Sequence, residues 1–463
     1  MYNPNMEITI NNNSIVVQQP NEILNDFIKT LEYVDKSKEF QAKRMEQSFY
    51  WRNSQALEEI RAQVCSTVYK RSGDTFIIPA GFTDQIIALK QPFEDKRTQN
   101  KQSLHFPWVK KPWDLRPYQE EAVEKMKENN RGVICLATGL GKTMVAVHAT
   151  KAIKKKTLIV VPTINLANQF FEDAASAFGR NRVGIYGGGK KKINDITIGV
   201  SNSVSRNIQE FANAGIGLTL FDECHHAPAP TVFDIASALG ENGKVFGLTA
   251  TPYRSDGKDL LITASCGDVL ISRDLKWGIE NKYLAEPHFF VRRIKTTGQE
   301  FKADKLKNYK SHILADQTMQ SAIMSDFVNF VNNGIPVLIL VDMVEHGRSL
   351  AAATNAAFAT GEDKNSYSYI EKFNKGEINA LIATEGAAGE GIDIKRIKAL
   401  IMANFAASKG LVMQCIGRAL RKLPGKDSCV IFDYIPEGSK MLKRHSLYRL
   451  NLYKEITPNV KVI

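Results

Sequence analysis

Gly132-Val133-Ile134-Cys135-Leu136-Ala137-Thr138-Gly139-Leu140-Gly141-Lys142-Thr143 is the stretch from which the fold of this 463-residue chain is read. Gly132 to Leu136 is apolar and too short for a core helix, which suits a buried parallel strand. Met144, Val145, Val147 and Ala149 then continue with a helical character. A strand, a glycine-bearing loop and a helix in that order build an anion site. Gly139 and Gly141 let backbone N–H groups converge, and the helix N-terminus adds the positive end of its dipole. The loop Thr138, Gly139, Leu140 and Gly141 is therefore the expected nucleotide cradle. Lys142 is expected to reach the terminal phosphates and Thr143 to ligate Mg²⁺. The full phosphate-loop pattern wants glycine where Leu136 stands.

A chain this long exceeds one core, so several domains are expected. Hydrophobic residues at 43% and charged residues at 24% are those of a soluble globular protein. The formal net charge of +12 favours a polyanionic partner, with nucleic acid first among them. Six cysteines without a Cys-x-x-Cys pair argue against disulfides and zinc and for a reducing cytoplasm. The sequence has neither a secretory pattern at its start nor an apolar run of spanning length, so no membrane association is expected.

Residues 1 to 105 read as a small α+β domain. Glu7 to Val17 reads as a hairpin around Asn11-Asn12-Asn13, and Asn21 to Val34 as a helix capped by Asn21. A second helix is expected near Gln55 to Val64, then a strand pair around Ser72-Gly73-Asp74. The Tyr50-Trp51-Arg52 cluster and Lys70-Arg71 are candidates for touching nucleic acid, with core packing as the alternative for the aromatics.

From Trp108 the pattern becomes alternating strand and helix. Leu115-Arg116-Pro117-Tyr118-Gln119 stands just ahead of a helix expected over Glu120 to Asn129. The Gln119 amide offers the donor and acceptor that an adenine edge needs, and it also suits a plain helix cap. Strands follow at Thr157 to Val161, Gly217 to Phe221 and Lys244 to Leu248. Parallel crossovers put their exits, including Thr163, at one carboxyl edge, where such sheets bind ligands. Asp222-Glu223-Cys224-His225-His226 stands at one exit. Asp222 is placed to hold Mg²⁺ and Glu223 to deprotonate a water, since paired carboxylates there need compensation. Thr249-Ala250-Thr251-Pro252 ends the next strand, and its hydroxyls are expected to bond to the acidic segment. Gly187-Gly188-Gly189-Lys190 reads either as a phosphate contact or as a solvated turn.

A second α/β domain follows, with strands at Val337 to Val341, Ala380 to Ala383, Ala399 to Met402 and Cys429 to Phe432. It has a glycine-rich strand exit from Thr384 through Gly391 to Asp393, then Gln414-Cys415-Ile416-Gly417-Arg418-Ala419-Leu420-Arg421. The spacing predicts a helix with Arg418 and Arg421 on one face.

In order and in content, these motifs resemble those of the superfamily 2 helicases over roughly residues 108 to 455. The resemblance implies two tandem RecA-like parallel-sheet domains, 106–284 and 285–463, behind the N-terminal α+β domain 1–105. It also accommodates Leu136, because helicase motors carry such loop variants. It implies that ATP with Mg²⁺ is held by Arg116, Gln119, Thr138 to Thr143, Asp222 and Gly391, with Glu223 on the water and Asp393 at the ribose. Arg418 and Arg421 would be arginine fingers and Gln414 a coupling residue, while Thr163, Lys190, Thr249 and Thr384 would lie along nucleic acid. Cys415 departs from the arginine common at its position. Thr249 to Gly257, the Gly187 to Lys190 loop, Phe432-Asp433-Tyr434, Arg444-His445 and Tyr453-Lys454 look like the phage branch-migration helicases of the UvsW type, a group similar to XPB-related translocases. That likeness implies a monomeric enzyme acting on duplex or branched DNA, in a host cytoplasm if phage-encoded. An RNA helicase or duplex-RNA sensor, the motor subunit of a restriction enzyme and a silent binding scaffold remain the competing readings.

Overall fold

The computed structural model describes residues 6–47, 54–98, 102–225, 229–241, 243–251, 257–302, 304–363, 365–384, 386–387, 394–405 and 408–463. Tyr50-Trp51-Arg52, His226, Gly391 and Asp393 lie outside them. The chain forms two compact units. One comprises Met1–Leu136 with Gly141–Ser272, the other Ala137–Leu140 with Arg273–Ile463. No helix among the described residues is long and apolar enough to cross a membrane.

The first unit begins with a five-stranded sheet in the order Lys70–Ser72, Thr75–Pro79, Ser14–Gln18, Glu7–Ile10, Glu94–Asp95. Alternation of polar and apolar residues buries Ile8, Ile10, Ile15 and Val17 on one face. The Glu22–Lys29 helix packs Leu24 and Ile28 there, and Asn21 Oδ1 caps it by accepting the Leu24 N–H. The helix is shorter than its sequence suggests. Glu32–Val34 turns extended instead and pairs with Cys65–Thr67.

The main sheet of this unit has eight strands in the order Lys190–Lys191, Val183–Gly187, Ile196–Val200, Thr157–Val161, Leu218–Asp222, Lys244–Thr249, Arg131–Leu136, Val269–Arg273. The Arg131–Leu136 strand buries Val133, Ile134 and Leu136 almost completely, each worth about 1.5–3 kcal/mol in transfer free energy. Crossover helices cover the faces, which forces the strands to be apolar along their length. Their carboxyl ends bring Leu136, Asp222 and Thr249 to one edge.

The N-terminal sheet and the eight-stranded sheet share a core. Phe233, Leu260 and Leu261 of the latter's helices pack against the cluster that includes Ile10, Val17 and Phe82. Gly81 approaches the Asp259–Cys266 helix so closely that a Cβ there would sit 1.9 Å from Thr263 O. Arg131 donates to Asn12 O and Asn13 Oδ1, and Gln85 Nε2 to Asp268 Oδ1 at 2.6 Å. Asp35 accepts the N–H groups of Ser37 and Lys38 and pairs with Lys258 at 2.7 Å.

The second unit carries seven strands, all parallel, in the order Ala357–Ala359, Ala380–Thr384, Val337–Val341, Ala399–Ala403, Ser428–Pro436, Glu286–Ile294, Val460–Val462. Its core gathers Tyr309, Phe327, Ile339, Ile401, Phe405 and Tyr434.

The shared core makes two outcomes testable by thermal denaturation. Gly81→Ala should cost on the order of 1–3 kcal/mol, because two backbones must part. A fragment starting near residue 101 should melt well below the full chain, and an equal melting temperature would show the N-terminal sheet to be a passive appendage.

Candidate nucleotide-binding site

The Arg131–Leu136 strand leads through Ala137–Gly141 into the Lys142–Ile153 helix. The turn uses two left-handed residues, Gly139 at φ +92° and Gly141 at φ +84°. A side chain at either would be strained. Gly141 occupies the cap position, and the N–H groups of the first turn have no acceptor within the helix.

Gln119 lies beside this turn. The Pro117–Glu128 helix starts earlier than the sequence suggested, because Pro117 is preorganised for the first helical position. Gln119 Oε1 accepts the Arg116 N–H at 2.9 Å. Gln119 Nε2 stands 2.4 Å from where a Cβ on Gly141 would be. The amide thus serves as cap and also meets the loop. Arg116 holds the capping position, and its guanidinium donates to the Tyr118 hydroxyl at 3.2 Å.

Lys142 Nζ lies 3.2 Å from Glu223 Oε1 and donates to Leu136 O at 3.4 Å. Asp222 ends its strand and is 7% exposed. Glu223 adopts φ +48°, a left-handed conformation that costs a non-glycine residue about 1–3 kcal/mol and is found chiefly where surroundings enforce it. Glu223 Oε2 is 3.5 Å from His225 Nδ1, which is 2.6 Å from Thr249 Oγ1. The Thr249 hydroxyl donates to Thr251 O at 2.6 Å. A row of polar groups therefore crosses three adjacent strand ends, with close contacts at Lys142–Glu223 and His225–Thr249 and a looser 3.5 Å approach between Glu223 and His225. The expected contact between Thr249 and the acidic segment is made through His225. The sequence reading gave that histidine no part in the site, and no group of three potential metal ligands occurs among the described residues. Its position two residues past Glu223, opposite a strand-end threonine, was the available signal.

An ammonium, the Thr143 hydroxyl, a helix N-terminus and the buried Asp222 carboxylate form a hard oxygen and cation set. That chemistry fits a triphosphate carried with Mg²⁺.

Thr163 follows the neighbouring strand at the same edge and caps the Ile164–Phe178 helix by accepting the Leu166 N–H at 3.4 Å. Lys190 is exposed on the outermost strand, past three glycines with positive φ. Thr384, in the second unit, ends the Ala380–Thr384 strand and accepts the Ala387 N–H at 3.4 Å.

Also in the second unit, Gln414 and Arg418 lie on the Lys409–Ala419 helix. The expected common helix face for Arg418 and Arg421 is not formed. The helix ends at Ala419, and Arg421 instead bridges Leu284 as an extended pair while Ala285 N–H donates to Leu420 O. A contact distant in sequence overrides the local spacing there. Burial lowers Arg421 to about 10, so it stays charged at neutral pH. Lys426 Nζ donates to Ala419 O at the helix end, and burial lowers that ammonium to about 8. Cys415 is 5% exposed, an interior position where an arginine would need a buried partner.

A family model described as the res subunit of type III restriction enzymes matches residues 113–254, and one described as the helicase conserved C-terminal domain matches residues 360–422. The tandem of these two domain types, with XPB and Rad25 helicases among the relatives, supports the resemblance to the superfamily 2 helicases. The chain is 34% identical over 230 residues to the DNA 3'-5' translocase XPB2 of Sulfurisphaera tokodaii, covering 50% of this chain and 52% of that protein. It is 26% identical over 341 residues to the DNA 3'-5' helicase XPB of Kineococcus radiotolerans, covering 71% of this chain and 61% of that one. The chain spans about half the length of the first curated relatives it matches. Among solved structures, T4 UvsW aligns over 99% of both chains with a TM-score of 0.44 at 17% identity. The DNA-bound type ISP restriction-modification enzyme LlaBIII aligns with a TM-score of 0.56 at 16% identity, over 77% of this chain and 32% of that one, and shares the fold.

The close approach of Gln119 to the loop generates a double-mutant test. Gly141→Ala should destabilise the protein by about 1–2 kcal/mol through its positive φ and the blocked amide. Part of that cost should vanish in a Gln119→Ala background, and equal costs in both backgrounds, measured by denaturant unfolding, would exclude the contact.

Proposed function

We propose that this protein is a superfamily 2 helicase, an ATP-driven DNA motor that unwinds or branch-migrates branched DNA in recombination, repair or replication-fork processing. The observation that carries the reading is the line from Lys142 through Glu223 and His225 to Thr249, because it links a phosphate-loop lysine to the exit of another strand. The names of the XPB relatives, which specify DNA, and the net charge of +12 support DNA over RNA.

In this reading Thr138, Gly139, Leu140 and Gly141 cradle the phosphates of ATP, and Gln119 with Arg116 meets the adenine. Lys142 holds the terminal phosphate. Thr143 and Asp222 hold Mg²⁺, which neutralises charge on the phosphate oxygens. Glu223 takes the proton of the water that attacks the terminal phosphorus as the bond to ADP breaks. When Lys142 turns to phosphate, Glu223 loses its ammonium partner, and His225 and Thr249 readjust with it. Gly391 helps to hold ATP and Asp393 meets the ribose, Gln414 couples to the acidic segment, and Arg418 with Arg421 neutralises the charge that develops. Thr163, Lys190, Thr249 and Thr384 line the DNA path. Residues 106–284 and 285–463 form the two motor halves of a monomer. Residues 1–105 recognise the branch through exposed cations such as Lys70 and Arg71, since backbone contacts alone position a protein without selecting a structure.

The reading is tested by ATPase rates on single-stranded DNA, linear duplex, a four-way junction and duplex RNA. Stimulation is expected to be greatest with the junction, and stimulation confined to RNA would overturn the DNA assignment. Glu223→Gln should bind ATP without hydrolysing it, so normal turnover would remove Glu223 from the water. Arg418→Ala should lower kcat by on the order of 10³-fold with a much smaller change in ATP binding. The opposite pattern would refute its role as a finger.

A further inference from the structure

The second unit contains a built surface that ATP turnover does not use. After the Glu286–Ile294 strand the chain returns over the carboxyl edge of the sheet through the Lys305–Tyr309 helix and a π turn, Lys310–Leu314. This segment is pinned from beneath. Thr297 N–H donates to Asp316 Oδ2 at 2.7 Å, Gln299 N–H to Ser311 Oγ at 2.6 Å, and Phe301 N–H to Asn308 Oδ1 at 2.7 Å. The buried Tyr309 hydroxyl donates to Ala403 O at 3.0 Å and accepts the Asp342 N–H at 3.4 Å. Those two residues end or follow the adjacent strands Ala399–Ala403 and Val337–Val341. The strand order reverses between them, which marks the crevice where open parallel sheets take ligands.

On this fixed backbone most of the outward charged side chains are cations; the exposed Glu300 is engaged by the Met441 N–H at 3.3 Å and stands 3.5 Å from His312 Nε2. Lys302, Lys305, Lys307 and Lys310 are all exposed, with Leu306 among them at 56% exposure. The Lys440–Ile456 helix packs alongside. Its Lys440, Arg444 and Tyr448 are exposed at steps of four, one face running about 12 Å. No acidic residue occurs from Ser439 to Lys454. Lys305, Lys307, Lys310 and Lys443 pair with Asp342, Asp304, Glu345 and Glu437 at 3.2–3.8 Å. Among the described residues no carboxylate partners Lys302, Lys440 or Arg444. Burial, then Lys305 and Arg444, hold His445 below its ordinary pKa, which reports a positive potential between the two elements. Solvated lysines need no buried scaffold. Like charges held together by one suit an anion that arrives with fixed spacing.

We propose that the face formed by Lys302, Lys305, Lys440 and Arg444, with Tyr448 at its end, grips backbone phosphates of a nucleic-acid duplex, DNA on the reading above, on which this inference rests. The contact is independent of sequence, because cations on phosphates position a duplex without reading its bases. Its distance in sequence from Thr384 and from Gln414 makes it separable from the coupling motifs.

The test is binding of the full chain to a short DNA duplex, and to an RNA duplex of the same sequence, by fluorescence anisotropy across a salt series. The triple variant Lys302→Ala, Lys440→Ala, Arg444→Ala should bind DNA more weakly, with a log-log salt slope shallower by about 2–3, at about 0.9 per phosphate contact removed. Its ATPase rate without nucleic acid should match that of the unmodified protein, and Lys372→Ala with Lys375→Ala, cations on another helix of the same unit, should keep the slope. An unchanged slope in the triple variant, with the unmodified protein binding DNA, overturns this inference alone. Failure of the unmodified protein to bind DNA, whether or not it binds the RNA duplex, overturns the motor reading and this inference together.

Discussion

The ion pair between Lys142 and Glu223 is the interaction on which the chemistry of the first unit depends. Both side chains are mostly shielded, at 10% and 20% exposure, so each is expensive without the other. The pair also explains how Asp222 and Glu223 coexist after an apolar strand, since the phosphate-loop ammonium supplies the compensation that water does not. Glu223 meets it only by accepting φ +48°. A residue held in strain by its neighbours is poised to respond when one of them changes partner. His225 and Thr249 stand next along the same edge, 2.6 Å apart.

That geometry requires the strands to end in register, and the sheet supplies it. Lys244–Thr249 lies between Leu218–Asp222 and Arg131–Leu136, with every pairing parallel. The Asp259–Cys266 helix then joins this sheet to the N-terminal one. Gly257 at φ +77° lets its backbone approach Val34 O, and Lys258 pairs with Asp35, which also caps the Lys36–Glu46 helix. The root of that helix is thus fixed a few residues after the strand that ends in Thr249.

Features set by local chemistry were legible in the sequence. The Thr157–Val161 and Val337–Val341 strands were read to the residue, because an apolar run of that length bounded by turns has few other uses. Asn21 was legible as a cap for the same reason. What the sequence hid depends on contacts far along the chain. Arg421 leaves its helix to pair with Leu284, and Val183–Gly187 is a strand despite two glycines because its neighbours complete its ladder. Glu32–Val34 follows Cys65–Thr67 rather than its own helical pattern. At the candidate site the reading fell short at His225, whose use is apparent only when Thr249 is beside it.

The second sheet shows what becomes of a switch-point crevice when no phosphate loop is present. Gln320 Nε2 donates to His346 Nε2 at 3.0 Å, so the proton of this neutral ring sits on Nδ1, 2.7 Å from the Tyr309 hydroxyl. That hydroxyl passes its own hydrogen to Ala403 O. Burial pushes His346 down to about 4, which keeps the ring neutral and this order of donors fixed at physiological pH. The place where such a sheet ordinarily receives a ligand is filled by the protein's own polar chain, and every donor in that chain has an acceptor. A ligand of this edge must therefore meet the outer surface of the segment that closes it, and that surface is cationic.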